Sequence, residues 1–165
     1  MPTLYNTTTD GQIIKKGKLI YTEILITAPA EKVWKVFSDF AKYPEWNPFI
    51  KSLKGSPAVG KTIEVFLQPP GNKGMLFKPK VLVFREGKEF RWIGKLMGGG
   101  VFDGEHAFIL KDNGNGSCTF IQYERFRGIL IPFMKKMLEG STLSGFQQMN
   151  EALKKRCEGE IQVHI

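Results

Sequence analysis

The sequence is poor in the side chains that bind metals or form covalent cross-links. Among its 165 residues are two cysteines and two histidines. Cys118 and Cys157 form no CxxC pair, and together with His106 and His164 they do not have the spacing of a zinc site. A domain of this length has a core large enough to be stable without a disulfide framework. We therefore predict reduced, buried thiols, no bound metal and no cofactor.

Long hydrophobic runs are also missing. The longest run, from Ile129 to Met134, is interrupted by Pro132 and is much too short to cross a bilayer. The N-terminus has no charged segment followed by an apolar one, so it does not resemble a signal peptide. These absences predict a cytoplasmic protein without a transmembrane segment.

Acidic residues are in the minority, because 24 lysines and arginines outnumber 16 aspartates and glutamates and give a net charge of +8. Such a balance is compatible with binding to nucleic acid or to an anionic surface. The lysines are spread along the chain, however, and no nucleic-acid recognition motif accompanies them. We therefore interpret the charge as a solvated surface and predict no nucleic-acid partner. Nothing in the sequence specifies the oligomeric state.

Aromatic residues are plentiful, with 13 phenylalanines and three tryptophans. Large aromatic side chains fill protein cores and also line pockets for small molecules. The polar, turn-rich residues 1–16 are expected to form a flexible arm, followed by one domain over 17–158 and a C-terminal tail over 159–165.

Hydrophobic periodicity predicts the order of the elements. Residues 19–26 form a β-branched run typical of a strand, and helical spacing begins at 28–31. From Phe49 onward apolar and polar residues alternate, with turn-rich breaks between the segments. Helical spacing returns over about 132–157. We predict an α+β domain with an antiparallel meander of about seven strands in the order β-α-α-β6-α, in which the sheet curves around a long C-terminal helix.

Two glycines lie in the middle of the predicted C-terminal helix. Gly140 and Gly145 each lower helix stability by about 1 kcal/mol relative to alanine. Either the helix approaches a neighbour closely at these positions, or it kinks there. We expect the curved sheet and this helix to enclose an apolar pocket between them.

The alternation places His106 on the apolar face of its strand, and the next strand presents Gln122 and Glu124 on the same face. The intervening turn centres on Gly114 and Asn115, and a symmetric hairpin that keeps the faces matched pairs His106 with Glu124, or with Gln122 one step away. Such a pair suits acid–base catalysis, the anchoring of a polar ligand group, or a satisfied buried histidine. All three interpretations stay open. No serine or cysteine has a recognisable spacing to a histidine, so covalent catalysis has no support.

Twelve residues are the candidate lining of the pocket. They are Phe77, Val81, Trp92, His106, Phe108, Phe120, Gln122, Glu124, Leu138, Ser141, Gly145 and Met149. If the pocket is catalytic, His106 and Glu124 are the candidate catalytic residues.

Five segments carry a resemblance to a known family. They are the strand and helix start at 24–34, the pattern D-x-x-x-Y-P-x-W-N-P at 39–48, the strand motif at 104–108, the sequence E-x-F-x-G at 124–128, and the helix end at 146–154. Together they make residues 17–158 similar to the START-like superfamily (SRPBCC), and within it to the polyketide cyclase/dehydrase and lipid-transport family.

The resemblance implies the helix-grip fold and a hydrophobic small-molecule ligand, with the loops at 68–74 and 95–100 as gates of the pocket. We accordingly predict the binding or carriage of a lipid, polyketide or aromatic molecule in an internal cavity. One alternative is a cyclase- or dehydratase-type enzyme that uses the His106–Glu124 pair. Another is a protein-interaction adaptor with a collapsed pocket. Non-enzymatic binding is the interpretation we favour.

Overall fold

The computed structural model describes residues 13–15 and 18–159. Most of the predicted arm and nearly all of the predicted tail lie outside the described residues, so the domain boundaries stay a prediction. The strands are β1 (Ile13–Lys15), β2 (Leu19–Ile26), β3 (Ile50–Lys54), β4 (Glu64–Leu67), β5 (Met75–Phe77), β6 (Lys80–Arg85), β7 (Glu89–Leu96), β8 (Phe102–Asp112) and β9 (Cys118–Arg127). The α-helices are α1 (Ala30–Ser38), α2 (Tyr43–Trp46), α3 (Ile131–Met137) and α4 (Leu143–Glu158), and a 3-10 turn occupies Phe40–Lys42.

The strands form two antiparallel sheets. The larger sheet has the order β1-β2-β9-β8-β7-β6, and the smaller one has the order β3-β4-β5. The α+β fold, the curved antiparallel sheet and the long C-terminal helix of the sequence prediction are confirmed.

The number of strands differs from the prediction of about seven in a single meander, since the described residues contain nine strands in two sheets. One reason is Pro79, which has no N–H to donate and separates β5 from β6. The isolated bridge between Thr62 and Lys80 is where the two sheets meet.

The C-terminal helix is continuous but not uniform. Between α3 and α4 the segment Leu138–Thr142 has the wider π-helical turn. Such π segments occur mostly as single turns within α-helices and often lie at functional sites. Gly140 belongs to this segment, and an added Cβ there would meet no atom within 4 Å. In the described residues, no helix is both long enough and apolar enough to cross a membrane.

A close contact with Phe49 explains the second mid-helix glycine, Gly145. A Cβ at this position would lie 2.4 Å from Cδ2 of Phe49, so the glycine allows α4 to approach the phenylalanine ring. The two mid-helix glycines thus have different causes. Gly145 permits a close approach, whereas Gly140 lies in the open part of the irregular turn.

Gly145→Ala is expected to destabilise the protein by about 1–3 kcal/mol, because the buried Phe49 ring must move to admit the methyl group. Gly140→Ala is the matched control. It adds the same methyl group to the same helix in open space and is expected to be neutral or stabilising by up to about 1 kcal/mol. Equilibrium unfolding in urea would measure both changes. Equal effects of the two substitutions would contradict this account of Gly145.

Aromatic rings fill one half of the space between the large sheet and the helices. Phe37 of α1 lies over Phe90, Phe108 and Phe120, with ring centroids 6.5, 5.1 and 5.3 Å away. All four side chains are fully buried. This end of the sheet is therefore solid core, and any internal space must lie toward the other end.

Candidate functional site

The interior face of the large sheet is organised in rows that run across the strands. Strand register places Trp92 beside His106 and His106 beside Glu124. The sequence prediction that His106 pairs with Glu124 is thus confirmed for the backbone register. The next row contains Gly94, Gly104 and Phe126 in the corresponding positions. One row therefore carries large and polar side chains, whereas its neighbour carries two glycines.

The row of glycines forms part of the wall of a cavity of about 440 Å³. An added Cβ at Gly94 would have no atom closer than 3.9 Å, so the space above this residue is open. The lining residues come from both sheets, the connecting loops and the C-terminal helix. They are Phe49, Val65, Leu67, Pro69, Asn72, Lys73, Met75, Phe77, Pro79, Trp92, Gly94, Leu96, Phe102, Gly104, Glu124, Phe126, Met134, Met137, Leu138 and Thr142.

Glu124 presents a carboxyl group to this mainly apolar cavity. A Cβ on Gly104 would lie 2.5 Å from Oε1 of Glu124, so the absence of a side chain at position 104 leaves room for the carboxyl. The other oxygen, Oε2, lies 3.6 Å from Nδ1 of His106. The glutamate side chain is 14% exposed, whereas that of His106 is 1% exposed. Glu124 thus lies between the cavity and a buried histidine.

A chain of hydrogen bonds on the opposite side of His106 assigns its tautomer. The Thr22 hydroxyl donates to the Gln122 carbonyl oxygen at 3.2 Å and therefore accepts from Nδ2 of Asn150, at 2.8 Å. Oδ1 of Asn150 accepts from Nε2 of Gln122 at 2.9 Å. Oε1 of Gln122 consequently accepts from Nε2–H of His106, also at 2.9 Å. The proton of the neutral imidazole is thus on Nε2, and Nδ1 carries a lone pair that faces Glu124.

Burial shifts the pKa values of both partners toward their neutral forms. Desolvation lowers the pKa of His106 to about 3, although its hydrogen bond with Gln122 acts in the opposite direction. The imidazole lies between the rings of Phe108 and Phe146, at centroid distances of 4.3 and 4.7 Å, which disfavours a positive charge. Desolvation raises the pKa of Glu124 to about 8. At neutral pH the pair is therefore a neutral imidazole beside a largely protonated carboxyl.

The unpartnered Nδ1 of His106 indicates how the carboxyl proton is placed. Within the part of the chain that the structure describes, this buried nitrogen has no hydrogen-bond partner. A proton on Oε2 of Glu124 would face that lone pair, across a distance of 3.6 Å that is longer than a hydrogen bond. Oε1, above Gly104 on the cavity side, is then free to accept a hydrogen bond from a molecule in the cavity.

The twelve predicted pocket residues divide into two groups. Phe77, Trp92, Glu124 and Leu138 line the cavity. The other eight lie away from it, in the solid core or elsewhere on the helix: Val81, His106, Phe108, Phe120, Gln122, Ser141, Gly145 and Met149. His106 remains connected to the cavity through Glu124. The alternation identified the inward faces of β7, β8 and β9 correctly. In β6 it was wrong, because a bulge between Val81 and Val83 turns Val83 outward and Phe84 inward. It also did not show which end of the inward face is filled by α1.

Several cavity residues were missed by the sequence analysis although a signal was available. Gly94 and Leu96 continue the inward alternation from Trp92, and Gly104 shares the face of His106. Glycine inside a strand often indicates the close approach of another group, and Gly94 and Gly104 in adjacent strands were such an indication. In the described residues no group of three metal-ligating side chains is present.

The fold and the site define an α+β domain of helix-grip type with an internal apolar cavity. A family model described as polyketide cyclase/dehydrase and lipid transport matches residues 19–158. The chain belongs to this family. A search of curated protein sequences finds no match.

Solved structures share this fold at low sequence identity. The Zhui aromatase/cyclase from a Streptomyces species is 11% identical with a TM-score of 0.71, over 88% of this chain and 96% of that one. A START superfamily protein from Mycobacterium smegmatis is 23% identical with a TM-score of 0.65, over 86% and 98%. Norcoclaurine synthase from Thalictrum flavum, in complex with dopamine and hydroxybenzaldehyde, is 18% identical with a TM-score of 0.65, over 87% of each chain. These similarities concern the fold alone.

Proposed function

We propose that the protein binds a hydrophobic small molecule that carries a hydroxyl group, with its apolar body in the cavity and its hydroxyl on Glu124. The main support for this proposal is the position of the Glu124 carboxyl in the wall of a mainly apolar cavity, where desolvation raises its pKa to about 8. A volume of about 440 Å³ lies within the range of small-molecule pockets. A few polar groups in such pockets fix the orientation of the ligand.

The chemistry of Glu124 supports a hydrogen-bond donor on the ligand. Its Oε2 faces Nδ1 of His106 at 3.6 Å, and its Oε1 lies above Gly104, where it can act as an acceptor. An alcohol, a phenol or an enol supplies the matching donor. A ligand carboxylate at the same position would be repelled once Glu124 ionises, so a neutral hydroxyl is favoured.

The test compares a naphthol with the methylnaphthalene substituted at the same carbon, because the two molecules differ only in the hydroxyl. Isothermal titration is expected to show tighter binding of the naphthol by about fivefold to tenfold, the value of one buried hydrogen bond. This preference should grow as the pH approaches and passes 8, since an ionised Glu124 is a stronger acceptor. Equal affinities of the two molecules, or no binding of either, would contradict the proposal.

Two substitutions at position 124 distinguish the effect of side-chain shape on ligand binding from the effect of hydrogen bonding. In Glu124→Gln the new amide would mimic the protonated acid, with N–H toward His106 and C=O toward the cavity. This variant is therefore expected to keep the preference for the naphthol and to lose its dependence on pH. Glu124→Leu should bind both molecules about equally. Loss of the preference in both variants would indicate that the carboxyl acts as an ion and not as a neutral acceptor.

The same carboxyl also favours a second candidate, acid–base catalysis on a bound enol or phenol. A general acid works best when its pKa lies near the ambient pH, which holds for Glu124 at about 8 and not for His106 at about 3. In that case Glu124→Gln would retain ligand binding and lose turnover, because an amide transfers no proton. Unchanged turnover of a substrate by this variant would exclude that role for Glu124.

The alternative of an adaptor protein depended on a collapsed pocket. The cavity of about 440 Å³ does not meet that requirement, and it supports the ligand-binding proposal instead.

A further inference from the structure

Large hydrophobic side chains are exposed beside the opening of the cavity. Ile129, Phe133 and Met137 are 72%, 84% and 39% exposed, respectively. They are spaced by four residues, so they form a stripe along one side of α3 and the turn that precedes it. Met137 is both exposed and part of the cavity lining, and so is Met75 of β5. The cavity therefore opens between α3 and β5, next to the stripe.

The loop between β7 and β8 extends this apolar surface. Its backbone is joined to the start of α3, since the Ile129 N–H donates to the Gly100 carbonyl at 3.2 Å. Met97 in this loop is 77% exposed and has a φ of 59°, the only positive φ of a non-glycine residue in the described chain. A methionine in the left-handed region is conformationally unfavourable. We call Met97, Ile129, Phe133 and Met137 the mouth patch.

Lysines lie beside the mouth patch. Lys136 is exposed on α3 next to the stripe, whereas Lys135 is exposed on the opposite side of this helix. Lys95 lies at the base of the Met97 loop with its Nζ beside Gly99. Lys73 is exposed and also lines the cavity. Two acidic residues are present in the same region. Glu139 lies 3.8 Å from Lys135, and Asp103 accepts a hydrogen bond from the Gly100 N–H. The surface thus combines apolar tips with a cationic border.

We propose that the mouth patch docks the protein on an anionic phospholipid bilayer, with the opening of the cavity facing the membrane. Amphipathic surfaces with aromatic and aliphatic tips and a border of lysines bind at the boundary between headgroups and acyl chains. Each lysine close to an anionic leaflet contributes further attraction. A protein partner would not require the apolar tips to surround the opening of an apolar cavity. The proposal does not depend on the identity of the ligand and goes beyond the proposed binding function.

Flotation with lipid vesicles tests the proposal. The wild-type protein is expected to float with vesicles of equimolar phosphatidylcholine and phosphatidylglycerol, and to bind pure phosphatidylcholine vesicles much less. Phe133→Ser should weaken binding to the mixed vesicles about tenfold, the effect of withdrawing one aromatic ring from the interface. Leu25→Ser is the matched control, because Leu25 is 55% exposed on β2, paired with Thr119 at the other end of β9. This control should bind like the wild type.

A charge-matched pair of double variants separates specific docking from general attraction. Lys95→Gln with Lys136→Gln should reduce binding to the mixed vesicles about tenfold or more. Lys32→Gln with Lys111→Gln removes the same charge from exposed positions away from the mouth and should have little effect. Equal losses in the two double variants would mean non-specific adsorption and would overturn the proposal. So would absence of wild-type binding to mixed vesicles at low salt. If the mouth-patch variants changed only the oligomeric state, the patch would be a self-association surface and the proposal would be wrong.

Discussion

Gly94→Phe is expected to lower the affinity for the naphthol probe by about a hundredfold, because its ring would occupy the space where the ligand lies. Gly94 is in the row next to Trp92, His106 and Glu124, and an added Cβ would have no neighbour within 3.9 Å. The ring would thus enter open space and separate the ligand from Glu124. The expected loss corresponds to most of the burial of one aromatic ring. Isothermal titration would measure it.

Gly94→Ala provides the control for this experiment. Its methyl group is too small to obstruct the cavity, so the affinity should stay close to that of the wild type. The free energy of unfolding of Gly94→Phe should be unchanged or higher, since the ring covers apolar surface and aromatic residues suit strands. A folded Gly94→Phe protein with wild-type affinity would place the ligand outside this cavity.

Glu124→Gln is expected to stabilise the folded protein above pH 8 by a few kcal/mol. The pKa of Glu124 is raised from 4.5 to about 8 in the folded state. Between these values the unfolded chain has released the proton that the folded protein retains, so stability falls as the pH rises. The slope is about 1.4 kcal/mol per pH unit for one proton. Glutamine has no proton to release, and the variant escapes this loss.

His106 has the opposite effect in acid. Its pKa is lowered from 6.5 to about 3 by folding, so the unfolded state takes up a proton first and stability falls as the pH decreases below 6.5. In the range where both groups act, between pH 4.5 and 6.5, the two slopes cancel. Wild-type stability from this pair should therefore be greatest in that range. In Glu124→Gln the decline on the alkaline side should disappear, while the decline in acid stays.

Urea unfolding at a series of pH values would measure these profiles. Glu31→Gln is a suitable control, because it makes the same substitution at an exposed position in the first turn of α1. Its stability should follow the wild-type pH dependence. A Glu124→Gln profile parallel to the wild type would show that the carboxyl is ionised in the folded state at neutral pH, and would remove the basis for treating it as a neutral acceptor.

The pairing of His106 with Glu124 shows how much strand alternation and turn position in the sequence can predict. Strand alternation fixes the face of each side chain, and a symmetric turn at Gly114 and Asn115 fixes the register, so the pair follows from the sequence. The observed register agrees. The hydrogen bonds to Asn150 and Thr22 did not follow, because these residues come from α4 and β2, far away in the sequence. Contacts between distant elements depend on packing geometry, which has no local signature.

The position of the cavity also depended on packing. Phe108 and Phe120 face inward as the alternation predicts, yet they lie in the solid core because Phe37 of α1 covers them. The open region lies instead above Gly94 and Gly104. Each glycine was visible in the sequence, but their adjacency across two strands becomes meaningful only once the register and the covering helix are known.

The amino-acid sequence by itself determined the α+β class, the inward faces of β7, β8 and β9, the long C-terminal helix and the His106–Glu124 pair, because these follow from short-range periodicity and turn position. The tertiary structure alone decided which part of the inward face stays unfilled, how Glu124 is desolvated, and which apolar side chains surround the opening. The physical reason is that burial and cavity shape are sums over side chains from several elements, and no single segment of the chain specifies them.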